Sequence, residues 1–223
     1  AGCAGMQRKG PSTVEGKIIC LDPGHGGTAD TDQFRVGPAG EREEWIDLRV
    51  ARLLRDMLEK RGATVVMTRE EDVRVGLKER ADMAREANAD VFLSLHHNAT
   101  ADPTMNFPIV YYHAYGSQNE AGVKLAKQLA HELNKSLFEG EEEPSVCSDY
   151  VIFPGSGTGV LRHSYGIPGV IGEASFFSNP EEEQRLKDPE YNRREAERYV
   201  RALDEFFSEP ISPIRPKGEP KPI

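Results

Sequence analysis

Residues 17–27 read KIICLDPGHGG, a short apolar stretch that runs into a turn rich in glycine. The stretch predicts a β-strand over residues 17–21. The turn after it carries His25 between glycines, which let a backbone approach a bound species closely. A segment of the same design, DVFLSLHHN, occupies residues 90–98 and predicts a strand over residues 90–95 that runs into two histidines.

Helical patterns separate these two segments and continue beyond them. Apolar residues at spacings of three and four predict a first helix over residues 43–61, which Gly62 ends. The remaining predicted strands cover residues 64–68, 109–113 and 169–173; the remaining helices cover residues 77–87, 118–137 and 191–207, with one more beginning at Asn179. Alternation of this kind predicts a single α/β domain with three layers, α/β/α, around a mainly parallel central sheet.

Two tails flank the predicted domain, which spans residues 15–208. Residues 1–14 lack periodicity, and their start, Ala1-Gly2-Cys3, resembles the end of a bacterial lipoprotein processing site. Cys3 is therefore a candidate lipid anchor and the tail a candidate remnant of export; the alternative is a truncated tail with an incidental cysteine. Residues 209–223 contain five prolines and indicate an extended C-terminal tail or linker.

Charge and composition exclude several function classes. The 223 residues carry a formal net charge of −9, and a surface of that sign repels nucleic-acid phosphates and anionic lipid headgroups. The sequence has no apolar run close to the ~18–20 residues of a membrane span. Its three cysteines match no zinc-finger or redox spacing. We expect no nucleic-acid partner and no membrane span.

Four ionisable residues fall where the predicted strands end or the first helix begins. His25 follows the first strand, His96 follows the third, and Glu173 ends the late strand, while Glu43 opens the first helix. Ligands of open α/β sheets bind beyond the carboxyl ends of the strands. Two histidines and a carboxylate form a known catalytic zinc arrangement, and a further carboxylate can transfer a proton. The set predicts metal-assisted hydrolysis, although an isolated histidine at a strand end is usually structural.

Four motifs resemble those of the zinc-dependent N-acetylmuramoyl-L-alanine amidases of bacterial cell walls. They are LDPGHGG at 21–27, GEREE at 40–44 before an amphipathic helix, SLHHNA at 94–99 and GEASFFSN at 172–179. Their order and spacing match the family across residues 16–207. Similarity continues in VLR at 160–162, IPGVIGE at 167–173 and FFSNPEE at 176–182.

The resemblance implies that His25, Glu43 and His96 bind one Zn²⁺ ion and that Glu173 is the catalytic acid/base. Glu43 is preferred to Glu44 because the family's ligand lies five residues before the leucine matched by Leu48. His96 is preferred to the next histidine because it directly follows Ser-Leu, where the family has its ligand.

Other residues of the motifs are candidates for substrate contact or ligand support. Asp22 is a candidate to orient the first histidine, and Asn98 lies next to the second histidine motif. His97 stands where the family usually has a small residue; it could gate the site, contact the substrate or do neither. Arg162 could meet a carboxylate of the stem peptide, with an interior ion pair as an equal alternative.

The implied activity is hydrolysis of the amide between N-acetylmuramic acid and L-alanine in peptidoglycan, by an exported enzyme of the bacterial periplasm or cell envelope. Some regulated members cover the metal with a helical insertion before the catalytic glutamate; no such helix is predicted here, so we expect an unblocked site. Two alternatives stay open. One is another zinc peptidase or carboxypeptidase that acts on stem peptides, and the other is a catalytically silent wall-binding module.

Overall fold

The computed structural model describes residues 12–27, 35–138 and 145–214. Cys3 and most of the two predicted tails lie outside these residues, so the lipid anchor stays a prediction. No helix in the described ranges is long and apolar enough to cross a membrane.

Within the described residues, six strands form one sheet in the order β2-β1-β3-β6-β4-β5. In chain order they are β1 (Ile18–Pro23), β2 (Thr64–Met67), β3 (Val91–Asn98), β4 (Ile109–Tyr112), β5 (Ser145–Ser148) and β6 (Gly169–Phe176). The first four strands of the sheet order run parallel, β4 pairs antiparallel with β6, and β5 runs parallel to β4. The sheet is therefore mainly parallel, as predicted.

Helices cover both faces of the sheet. They are α1 (Glu43–Glu59), α2 (Leu77–Glu86), α3 (Glu120–Leu137), α4 (Gly159–His163), α5 (Pro180–Leu186) and α6 (Pro189–Phe207). The larger core lies under α1, α3 and α6 and includes Leu93 and Leu95 of β3. The smaller core lies under α2 and α4 and includes Phe92 of the same strand. The three-layer architecture in one domain is confirmed.

Strand β5 and helix α4 are among the short elements that the sequence did not predict. Strand β5 is a half-buried edge strand of four residues, and α4 is a helix of five residues, so neither has enough length for a periodic pattern. Strand β3 also continues through the two histidines to Asn98 instead of ending before them. The histidines therefore obey the alternation of a strand, in which successive side chains point to opposite faces.

A buried carboxylate shapes the loop that leads into α1. The side chain of Glu183 on α5 accepts hydrogen bonds from the backbone N–H of Ala39, at 2.6 Å, and of Glu41, at 2.9 Å. Gly37 lies so close that a Cβ atom there would stand 2.5 Å from a Glu183 oxygen. Helix α5 thus fixes the approach to the helix that carries Glu43.

We predict that Glu183→Ala lowers the free energy of unfolding by about 2–4 kcal/mol, because two backbone N–H groups lose their acceptor. Urea unfolding of the metal-free protein measures the change. Glu181→Ala on the same helix is the control, since its side chain is 86% exposed and its ion pair with Arg185 is long, at 3.8 Å. An equal loss in both variants would contradict this role of Glu183.

Candidate metal centre

His25, Glu43 and His96 meet at the carboxyl ends of β1 and β3. One oxygen of Glu43, Oε1, lies 2.9 Å from Nε2 of His25 and 2.9 Å from Nδ1 of His96. The three potential ligand atoms all lie within 4.8 Å of one another. The two imidazole rings stand nearly perpendicular, with centroids 4.8 Å apart. Three distant segments of the chain thus place their donors around one point.

The turn after β1 reaches this point through an unusual backbone conformation. His25 has a φ of +56° and Gly26 a φ of +103°. Residues other than glycine rarely adopt a positive φ. Before them, Gly24 donates its N–H to the carbonyl of Leu95 at 2.8 Å. A Cβ atom at Gly24 would lie 2.4 Å from the ring of His96. Only glycine lets the turn pass this close to the second histidine.

Asp22 is buried behind the turn and accepts hydrogen bonds from three side chains. Its carboxylate accepts hydrogen bonds from Thr68 at 2.6 Å, Ser94 at 2.7 Å and Arg80 at 2.7 Å. Arg80 in turn donates to the carbonyl oxygens of Pro23 and His25. In the described part of the chain, Asp22 therefore supports the turn that carries His25 through the Arg80 guanidinium and the backbone.

A second arginine joins the turn to α1. Arg69 donates to the carbonyl oxygen of Pro23 at 3.0 Å, of Gly24 at 2.6 Å and of Glu44 at 2.8 Å. Its planar guanidinium can hold several acceptors in fixed directions. The segments that carry His25 and Glu43 are thus bound to the same side chain.

The two neighbouring glutamates of α1 have different partners. Glu43 faces the imidazoles, and although burial opposes ionisation, the charge of His25 and the hydrogen bonds from both imidazoles hold the pKa of Glu43 well below its usual range. Glu44 is fully buried and pairs instead with Arg35 at 3.1 Å and Arg42 at 2.9 Å. The preference for Glu43 over Glu44 agrees with this geometry.

Glu173 lies beside His96 because β6 pairs with β3 in parallel register, His96 opposite Glu173. Paired residues of neighbouring strands point to the same face of the sheet. The buried oxygen Oε2 of Glu173 has no hydrogen-bond partner among the described residues. Burial, reinforced by the charge of Glu43, raises the pKa of Glu173 to about 7. A carboxyl group of this kind can both accept and donate a proton near neutral pH.

The remaining predicted site residues lie in different surroundings. His97 is fully buried on the opposite face of β3, with Nδ1 at 2.9 Å from Asp47 and Nε2 at 3.1 Å from Glu195. Burial alone would lower the pKa of His97, but these two carboxylates raise it well above its ordinary value. Because the ring points into the core, the alternatives of gating and substrate contact by His97 are wrong for this structure.

Asn98 and Arg162 do not join the histidine cluster in this structure. The side chain of Asn98 accepts a hydrogen bond from the N–H of the next residue, at 2.8 Å. Arg162 is exposed on α4, where it donates to the carbonyl oxygens of Ser156 and Gly157. The interior ion pair considered for Arg162 is therefore wrong, and contact with a stem peptide stays a prediction.

The chemistry of the donor set fits a zinc ion. Two imidazole nitrogens and one carboxylate oxygen are ligands that zinc accepts, and three protein ligands leave a fourth position for reactants. Donors about 2.0–2.2 Å from a tetrahedral zinc ion lie about 3.4 Å apart. The observed separations, 2.9 Å for the two contacts of Glu43 and at most 4.8 Å within the trio, bracket that value.

Comparison with known proteins identifies the family. The sequence matches the N-acetylmuramoyl-L-alanine amidase family over residues 19–205. The chain belongs to that amidase family. A germination-specific N-acetylmuramoyl-L-alanine amidase of Bacillus subtilis is 28% identical over 221 residues, which cover 93% of this chain and 84% of the relative. The amidase LytC of the same organism is 31% identical over 192 residues, 86% of this chain but only 35% of LytC.

Solved amidase structures share the fold. The N-acetylmuramoyl-L-alanine amidase AmiC2 of Nostoc punctiforme superposes with a TM-score of 0.73 at 25% identity, covering 90% of this chain and all of that one. An N-acetylmuramoyl-L-alanine amidase of Clostridium difficile 630 gives a TM-score of 0.74 at 24% identity, covering 87% and 98%. Together with the family match and the amidase relatives, this likeness makes the protein an enzyme of the amidase class.

For this amidase we predict that Gly24→Ala weakens metal binding at least tenfold, because the added Cβ atom must displace the His96 ring. Zinc affinity, measured by competition with a chromophoric chelator, tests this. Gly76→Ala is the control, since a Cβ atom at Gly76, which borders the same cleft, would come no closer than 3.8 Å to a neighbouring side chain. Unchanged affinity in Gly24→Ala would mean that the ring position does not limit binding.

Proposed function

We propose that this amidase is a zinc-dependent enzyme that cleaves the amide between N-acetylmuramic acid and L-alanine in peptidoglycan. In this proposal His25, Glu43 and His96 hold one zinc ion, and Glu173 is the catalytic acid/base. The observation that carries it is the juxtaposition of the three donors with Glu173, whose buried Oε2 lacks a partner among the described residues. A free carboxylate oxygen beside a ligand cluster is what proton transfer at a metal site requires.

The reaction divides between the ion and the protein. A bound zinc ion supplies Lewis-acid chemistry toward the amide carbonyl and toward water. Glu173 accepts a proton from the water that attacks the carbonyl carbon, and it then donates that proton to the alanine nitrogen as the C–N bond breaks. The products are a free lactyl carboxylate on the glycan and a free amino group on the stem peptide. Burial raises the pKa of the Glu173 carboxyl, which favours its return of the proton to the leaving nitrogen.

The cleft beside the donors supports a peptide substrate that carries negative charge. Its volume is about 260 Å³, and its walls include His25, His96, Arg35 and Arg74. Arg35 pairs with Glu44, whereas Arg74 is exposed and forms no ion pair within the described ranges. Stem peptides carry carboxylates, and an arginine is well suited to bind one.

The position of the scissile bond distinguishes the proposal from its alternative. A peptidase or carboxypeptidase on the same scaffold would cut within the stem peptide. An amidase releases whole stem peptides and leaves an intact glycan, so mass spectrometry of digested cell walls separates the two activities.

The cellular setting follows from the proposed substrate. Peptidoglycan lies outside the cytoplasmic membrane, so we propose that the enzyme acts in the periplasm or cell envelope of a bacterium. A lipid on Cys3 would hold it at a membrane surface. We also propose that the site is unblocked, so that the isolated chain acts without an activator.

We predict that Glu173→Gln reduces turnover of cell wall by at least a hundredfold, because the amide cannot accept the proton. Zinc affinity should stay close to that of the wild type, because Glu173 is not a ligand in the proposal. Release of dye from labelled cell wall measures the activity, and Glu190→Gln at an exposed position is the control. Normal digestion by Glu173→Gln would refute the assignment.

Removal of the metal should abolish activity and lower the thermal midpoint of unfolding, because a ligand that binds only the folded state stabilises it. Dialysis against a chelator and then against zinc, with activity and melting recorded at each stage, tests this prediction. Recovery of both values on return of zinc is expected. Full activity in a metal-free sample, verified by elemental analysis, would exclude zinc dependence.

A further inference from the structure

Directly behind the ligand cluster lies a second set of ionisable residues that the proposed reaction does not use. His97 of β3 lies between Asp47 of α1 and Glu195 of α6, with hydrogen-bond distances of 2.9 Å and 3.1 Å. All three residues are fully buried. Buried ionisable groups are costly unless they are paired, so this arrangement ties the middle of the sheet to two helices by strong, directional contacts.

Two members of this network, Asp47 and His97, lie close to the proposed metal ligands. Asp47 lies one helical turn after Glu43, so the two carboxylates project from the same side of α1. His97 directly follows His96, and its backbone N–H donates to Oε1 of Glu43 at 3.3 Å. The junction of α1 with β3 is thus made by two adjacent pairs, Glu43 with His96 and Asp47 with His97. Asp47 and His97 are fully buried, and among the described residues that line the cleft neither of them is present.

We propose that Asp47, His97 and Glu195 form a positioning network that holds Glu43 and His96 in the geometry of metal binding. The inference rests on the proposed function, since it assumes that those two residues bind zinc. His97 acts through α1: its contact with Asp47 fixes the rotation and the distance of the helix that presents Glu43 to His96. Glu195 holds the other nitrogen of the ring and so sets the direction in which His97 points.

The two carboxylates of the network have unequal effects in this proposal. Asp47 is on the helix that carries a ligand, whereas Glu195 is on α6, which carries none. Loss of Asp47 therefore frees the ligand-bearing helix, while loss of Glu195 leaves the contact of His97 with α1 in place. If the network only stabilised the core, each replacement would lower the metal affinity in proportion to its loss of stability, whichever of the residues is replaced.

The experiment compares His97→Ala, Asp47→Ala and Glu195→Ala with Leu93→Ala. Leu93 is buried on the same strand and face as His97 but lies outside the network. Zinc affinity is measured by chelator competition without substrate, and the stability of each metal-free variant by urea unfolding. The absorption spectrum of the Co²⁺-loaded protein reports the ligand geometry. Cleavage of a muropeptide by the wild type is recorded in parallel.

Replacing a residue that supports a metal ligand typically lowers metal affinity 10- to 100-fold. We expect a loss of about that size in His97→Ala and Asp47→Ala, with a changed cobalt spectrum, and a smaller loss in Glu195→Ala. Leu93→Ala should be destabilised yet keep its zinc affinity and cobalt spectrum. If a variant does not fold, Asp47→Asn and Glu195→Gln preserve the side-chain volume and should show the same order of effects.

Affinities that follow stability equally in all four variants, or that do not change, would overturn the positioning role. A wild type that binds zinc but does not cleave the muropeptide would refute the proposed activity while the affinities still decide the inference. A wild type that binds no zinc would overturn both the metal centre and the positioning network.

Discussion

The burial of the Glu43 carboxylate is the constraint on which the rest of the site depends. A charge removed from water is tolerated only where partners replace its hydration, and here the partners are the imidazoles of His25 and His96 and the N–H of His97. These groups belong to the ends of two neighbouring strands. Satisfying one carboxylate therefore fixes the start of α1 against β1 and β3, and the same contacts bring three metal-ligating atoms together.

The scaffold around this carboxylate consists mostly of backbone groups held by arginines. Arg69 and Arg80 donate to the carbonyl oxygens of the turn that presents His25, and Arg80 is itself neutralised by Asp22. A guanidinium suits this task because its donors point in fixed directions and it stays charged when buried. The two arginines thus hold the turn in its left-handed conformation through its backbone carbonyl groups and not through the imidazole of His25.

Much of this arrangement could be predicted from the sequence, because strand ends and helix starts follow from local periodicity and the carboxyl ends of parallel strands share one edge. That logic grouped His25, Glu43, His96 and Glu173. It could not predict the partner of His97, because Glu195 is 98 residues further along the chain and the contact depends on how α6 packs. The sequence of α6 does not single out Glu195, because only the packing of the helix turns its side chain toward the core while neighbouring acidic side chains face solvent.

The division of roles between the two adjacent histidines follows from the hydrophobic core. Leu93 and Leu95 must face the core under α1 and α6, and alternation along β3 then sends His97 to the same face and His96 to the cleft. A shift of one residue would exchange the two rings, at the cost of removing the leucines from the larger core. A histidine is tolerated at the inner position because Asp47 and Glu195 together satisfy both of its nitrogens. The alternation of core residues along β3 therefore decides that His96, and not His97, can reach a metal ion. The contacts with Asp47 and Glu195 allow His97 to be buried in the core.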